Sequence, residues 1–217
     1  LKVNQSLQNI RLGNNQIGDE GAKSLADALM VNKSLRIMDL KGNNIGAEGA
    51  KHLGVALKVN QSLRHLWLTG SNQIGDEGAK SLANAVMVNE SLKEVLLYSN
   101  NIGAEGVKHL GLALKVNKSL QEIWLCKNQV GDEGAKGLAN ALMVNKSLQN
   151  VELSGNNIGD KGVQSLASSL VVNHTLCRLN LNRNNIGQQG AKAIADALVC
   201  NHVIEKIQLT KNKSLSG

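Results

Sequence analysis

Three cysteines and five histidines are the side chains of these 217 residues best suited to metal or nucleophile chemistry, and their spacing decides what they can do. "NHTLC" at 173–177 and "CNHV" at 200–203 supply His174, Cys177, Cys200 and His202. His174 and His202 are separated by the same interval that recurs throughout the chain, so they hold equivalent places in it. Two thiols and two imidazoles form a set that zinc accepts. Against a metal site, Cys177 is expected to turn partly inward and Cys200 to end a helix, so neither metal nor cofactor is expected. A column of lysines, Lys23, Lys51, Lys80, Lys108, Lys136 and Lys192, could meet the phosphates of nucleic acid or an acidic membrane. Asp or Glu beside most of these lysines cancels much of that field, and no aromatic platform accompanies them. A solvated face with no nucleic-acid or membrane partner is the reading. No Ser/His/Asp or Cys/His arrangement has a supporting motif, and no glycine loop has the phosphate-binding form, so an enzyme is not expected.

What remains is recognition chemistry. The chain contains two Trp, one Tyr and no Phe, and the three aromatics are Trp67, Tyr98 and Trp124. In "RHLWLTG", residues 64–70, Trp67 stands between two leucines whose spacing marks a core. On a strand it must then point away from that core. The elements that hold it therefore decide its role.

Those elements repeat. Leu7, Leu35, Leu63, Leu92, Leu120, Leu148 and Leu176, with Ile204 in the same place, follow one another in equal steps, except that the step from Leu63 to Leu92 is longer by one. Within a unit, "LRIMDLKGN" alternates Leu35, Met38 and Leu40 with polar neighbours before Asn43, which is a short strand with one buried face. In "IGAEGAKHLGVALKVN", Ala50, Leu53, Gly54 and Leu57 form the buried stripe of a helix. Gly46 suits the tight loop entering that helix. Asn60 follows the helix end, where a left-handed cap is expected. The Asn43 column should turn inward, because a buried amide needs backbone partners. Glu48 and Lys51, and their equivalents, should pair on the outer helix face. Strands stack at about 4.8 Å while helices need about 10 Å, so the stack bends with its strands inside. The expected fold is an α/β solenoid of leucine-rich repeats, a right-handed horseshoe with a parallel sheet on the concave face and helices on the convex face. It spans 1–217 as one domain of about seven units and an incomplete eighth.

The unit "SLxxLxLxxNxIGxxGAxxLAxALxVN" resembles the ribonuclease-inhibitor-like class of leucine-rich repeats. It is most similar to the C-terminal repeats of NOD-like receptors, which carry phrasing like "NNIGAEGAKHLGVALKVN". The resemblance covers essentially the whole chain and rests on structural residues. It implies a non-catalytic binding part of an intracellular sensor or scaffold in innate immunity. The nucleotide-binding and signalling domains of those receptors are not in this sequence. Ribonuclease inhibitor, Ran GTPase activators and tropomodulin share the fold, so an enzyme regulator stays open as an alternative, as does a structural or engineered array. A ribonuclease inhibitor is disfavoured, because a basic enzyme calls for an acidic inhibitor and the formal charge here is +7.

The setting follows from smaller signs. Three cysteines without framework spacing favour a reducing compartment, hence the cytoplasm. The Asn-x-Ser/Thr tripeptides at Asn4, Asn32, Asn60, Asn89, Asn117, Asn145 and Asn173 belong to the repeat's turn rather than to glycosylation. The opening "LKVNQSL" recurs at 57–63, so the chain reads as starting in mid-unit, a piece of a longer protein with uncapped ends that invite self-association.

Partner information must sit where units differ. Parity sends the third, fifth and seventh places of each strand to the concave face. There Trp67, Leu96, Tyr98 and Trp124 form an aromatic and aliphatic centre, rimmed by Asp39, His65, Thr69, Glu94, Glu122 and Glu152. That is the composition of a protein- or peptide-binding hot spot. The one longer step falls in "LTGSNQIG" at 68–75 and should bulge a loop beside it.

Overall fold

In the computed structural model, which describes residues 1–70 and 72–212, strands and helices alternate along the whole chain. The strands are β1 (Asn9–Arg11), β2 (Ile37–Asp39), β3 (His65–Trp67), β4 (Glu94–Leu96), β5 (Glu122–Trp124), β6 (Asn150–Glu152), β7 (Arg178–Asn180) and β8 (Lys206–Gln208). Between them lie α1 (Gly18–Leu29), α2 (Ala47–Val59), α3 (Gly75–Val86), α4 (Ala104–Val116), α5 (Gly131–Leu142), α6 (Asp160–Val172) and α7 (Gln188–Leu198). All strands are parallel and pair in chain order. Each helix packs on the next, so one open sheet and one helix layer enclose a single leucine-rich core. The strands line the concave side of the resulting α/β solenoid.

Parity holds in every interior unit. Met38, Leu66, Val95, Ile123, Val151 and Leu179, the middle residues of β2 to β7, are at most 1% exposed, while their neighbours on each strand stay accessible. Besides the ladder bonds, the helix packing and the shared core, two rows of asparagines tie successive units together. In the first row, Asn72 donates to Leu40 O at 3.0 Å and accepts from the amides of Asn43 and Ile45 at 3.0 and 2.9 Å. In the second, Asn89 donates to Leu57 O and Asn60 O at 2.7 and 2.8 Å and accepts from Ser91 and Leu92 amides at 2.8 and 2.7 Å. One side chain thus ties the turns of successive units together. The same bonds answer the tripeptide question: Asn32, Asn60, Asn89, Asn117, Asn145 and Asn173 are buried, and a glycan on their nitrogens would break the row.

The capping device differs from the expectation. Asn60 is extended, with φ −72° and ψ 123°, not left-handed, because its amide must reach the preceding turn. Gly46 is not in a left-handed conformation either. An added Cβ at Gly46 would press on the Asp19 carboxylate at 3.3 Å and one at Gly49 would clash with it at 2.5 Å; that carboxylate accepts from the amides of Gly46 and Gly49 at 2.7 and 2.9 Å. Asp19 in α1 therefore caps α2 in the next unit. Asp76, Asp132 and Asp160 do the same for α4, α6 and α7. In α2 and α4 the place of Asp19 is taken by Ala47 and Ala104, and the helices that follow, α3 and α5, begin instead on left-handed Gly75 and Gly131. As far as α6, units thus alternate in two kinds.

Close helix packing explains a glycine inside the α2 stripe: a Cβ at Gly54 would stand 2.7 Å from the backbone oxygen of Ser81. On the outer face, Lys51–Glu48, Lys80–Glu77 and Lys108–Glu105 pair at 3.1, 3.8 and 2.8 Å. The bulge expected at 68–75 turns on Ser71, which lies outside the described residues. Gly70 beside it has φ +55°.

Candidate functional site

Sheet register brings the expected residues into rows. Asp39, Trp67, Leu96, Trp124 and Glu152 are direct cross-strand partners, one per strand from β2 to β6. His65, Glu94, Glu122 and Asn150 form the parallel row two residues earlier. The two tryptophans are two strands apart, roughly 10 Å. Each indole N–H is held by a carboxylate: Trp67 Nε1 donates to Glu94, and Trp124 Nε1 donates to Glu122 at 2.5 Å. His65 Nδ1 lies 3.5 Å from the same Glu94 oxygen, and Asn150 Nδ2 donates to the other oxygen of Glu122 at 3.2 Å.

The face is less open than parity alone implies. Trp124 is exposed, but Trp67 is half-buried against β4. Thr69 is largely covered, at 9% exposure, so it offers the face much less surface than Trp124. Tyr98 stands just beyond its strand, two residues after Leu96. Its hydroxyl accepts from Lys127 Nζ at 2.8 Å, with that ammonium 5.0 Å from the ring centroid. The hydrogen bond from Lys127 holds the phenol below its ordinary pKa. Lys127 was not among the expected residues. Its signal is a place directly after the variable column, at Cys126.

Charge varies along the sheet face. Asp39, Glu94, Glu122 and Glu152 occupy the centre, while Arg11 stands on β1 and Arg178 and Lys206 on β7 and β8. Burial pushes the Glu152 carboxyl above the usual range, opposed by its hydrogen bond to Asn180. Burial likewise raises the Cys126 thiol. The centre is thus an apolar and aromatic strip flanked by carboxylates. At the other end of the chain, His174, Cys200 and His202 are exposed, and Cys177 Sγ is turned to Thr175 O at 3.4 Å. Among the described residues, no three His, Cys, Asp or Glu side chains are grouped to hold a metal.

The Leucine Rich repeat family model matches residues 3–26, 31–54, 59–83, 88–111, 116–139, 144–167 and 172–195. The chain belongs to the leucine-rich repeat family. Seven matched units coincide with the seven helices, and the eighth strand falls beyond the last match. Among solved structures, this leucine-rich repeat protein is similar to leiomodin-1 actin-binding site 2, at 22% identity and TM-score 0.52 over 55% of this chain and 70% of that one. It is also similar to the tropomodulin C-terminal domain of Caenorhabditis elegans, at 14% identity and TM-score 0.49 over 90% of this chain and 91% of that one. At these identities the likeness concerns the fold. No curated protein matches the chain in sequence. No helix among the described residues is long and apolar enough to cross a membrane.

Proposed function

We propose that this leucine-rich repeat domain is a non-catalytic protein-binding module of an intracellular, cytoplasmic sensor or scaffold of the NOD-like-receptor type. Its concave face holds a protein or peptide over Trp67, Leu96, Tyr98 and Trp124. The observation that carries this reading is the register: Trp67, Leu96 and Trp124 are consecutive cross-strand partners, with Glu94 and Glu122 beside them. Large rigid rings over a carboxylate rim concentrate binding energy in few contacts. The resemblance of the repeat unit to NOD-like receptors supports the sensor assignment.

The test compares the wild-type chain with a Trp67→Ala/Trp124→Ala variant in capture from cell lysate, followed by affinity measurement with the captured partner. Actin, which the leiomodin-1 site binds, is included as one purified candidate. The double change should weaken binding by about 2 kcal/mol or more. Lys51→Ala/Lys80→Ala on the outer face should leave it unchanged. Dispensable tryptophans with essential lysines would move the site to the helices and overturn the reading.

A further inference from the structure

The turn between each helix and the following strand differs from the rest of the surface. Consider the seven residues beginning two before each second-row asparagine, from Asn4 to Asn201. Of the exposed large hydrophobic side chains among the described residues, all but Val55, Leu112, Trp124 and Leu198 belong to these turns. Val31, Val59, Val88, Val116, Val144 and Val172, each just before its asparagine, are 49% to 58% exposed. Met30, Met87 and Met143 extend the row in alternate units. Repetition once per unit lines these side chains up along one edge of the solenoid, at the C-terminal ends of the helices.

The same turns carry nine lysines and arginines against two glutamates, Glu90 and Glu205. That excess of seven equals the formal charge of the whole chain, so everything outside the turns is balanced. Most of these cations are also without acidic partners. On the helix face Lys51, Lys80, Lys108 and Lys192 each reach a carboxylate and Lys23 and Lys136 do not, whereas at the turns none of Lys33, Lys58, Lys93, Lys115, Lys118 and Lys146 forms an ion pair among the described residues. Clefts open between successive turns. One of about 520 Å³ is lined by Met87, Val88, Val116 and Lys118, and one of about 840 Å³ by Val116, Lys118, Val144 and Lys146. A third, of about 350 Å³, is lined by Met30, Val59, Arg36 and Arg64.

We propose that this edge is a second interaction surface, and that it takes an acidic amphipathic helix of a partner protein laid along the stack. Charge complementarity requires carboxylates opposite the lysines. Spacing selects a helix. Packed helices stand about 8–10 Å apart, so successive valines recur at about that distance. An α-helix advances about 10.5 Å over one heptad, which sets one apolar residue per heptad over each cleft. An extended strand brings same-face side chains round at intervals of about 6.7 Å and falls out of step. Polyphosphate would use the lysines and leave the valines in water. A bilayer would find no Trp or Tyr anchor on this edge, since all three aromatics lie on the strand side.

The probe is a synthetic labelled helix of four heptads, with one Leu–Val pair per heptad and glutamates on both flanks, titrated by fluorescence anisotropy. Controls are the same composition scrambled and a version with lysine for glutamate. The wild-type chain should bind the acidic helix at least tenfold tighter than either control, with affinity falling as salt rises. Val59→Ser/Val88→Ser/Val116→Ser and Lys58→Glu/Lys115→Glu/Lys118→Glu should each lose at least tenfold, at unchanged melting temperature. Trp67→Ala/Trp124→Ala should bind it like wild type, so failure here and failure of the concave-face reading are separate results. Equal binding of the scrambled peptide, or undiminished binding by both edge variants, overturns the proposal. So does association with phosphatidylserine vesicles or a short DNA duplex that exceeds association with the helix.

Discussion

Asn89 shows how much one side chain does in this chain. It is fully buried, and its four hydrogen bonds to backbone groups, all 2.7 to 2.8 Å, reach two carbonyls of the preceding unit and two amides of its own turn, while the Ser91 hydroxyl donates to it at 3.0 Å. Asn89→Ala would strand those backbone groups where water cannot replace the amide. At about 1–3 kcal/mol per buried polar group left unmade, a loss of about 3 kcal/mol or more is expected in denaturant unfolding. Glu152 gives the opposite sign. Burial raises its carboxyl pKa in the folded chain above the ordinary 4.5. Over that interval the folded state holds a proton that the unfolded state has released, so stability falls as pH rises from 4.5 through the raised value. Glu152→Gln should remove that slope and leave the protein slightly more stable at neutral pH, as thermal melts from acid to neutral pH would show.

At the scale of elements, the device that matters is capping across the unit boundary. Asp76 belongs to α3, yet it accepts from Gly103 and Gly106 amides at 2.6 and 3.0 Å at the start of α4. A carboxylate there also meets the positive end of the helix dipole. Asp76→Ala should cost about 1 kcal/mol. The loss should fall on the neighbour: hydrogen exchange should quicken in the first turn of α4 while α3 keeps its protection. Equal change in both helices would show that the cap acts through global stability. The alternation of Asp with Ala at this place also explains why α3 and α5 enter through left-handed glycines, since no carboxylate from α2 or α4 waits to receive their first amides.

At the scale of the whole sheet, β1 and β8 each pair on one side only among the described residues. Ile10 and Leu12 near β1, and Ile207 and Leu209 near β8, are only partly buried, whereas their counterparts in the interior units are covered on both sides. An open parallel sheet keeps a row of unmade ladder bonds at each edge. These 217 residues, prepared by themselves, should therefore self-associate as concentration rises in sedimentation velocity. A polar repeat appended at either end should suppress this and raise the melting temperature. A chain that stays monomeric at high concentration, with no gain from the appended repeat, would show that the edges are harmless.

The sequence by itself determined the unit, its period, the strand parity and the concave columns, because each is a statement of periodicity within one chain: Leu35, Met38 and Leu40 alternate, and their equivalents do so in every unit. It also placed Trp67, Leu96 and Trp124 in one row, since equal spacing in a solenoid is spatial adjacency. What only the tertiary structure decided were contacts between units that depend on angle and depth. The extended turn at Asn60, the reach of Asp19 into the next helix, the burial of Thr69 and the binding of each indole N–H to a carboxylate all depend on how side chains are angled in the folded stack. No pattern within a unit records that direction. The apolar, cationic edge lies between the two: its residues repeat plainly as "MVNKSL" and "LKVNQSL", but valine in such a pattern reads as core. Only the folded chain shows that the core is already filled by the leucines and alanines and that these valines face water.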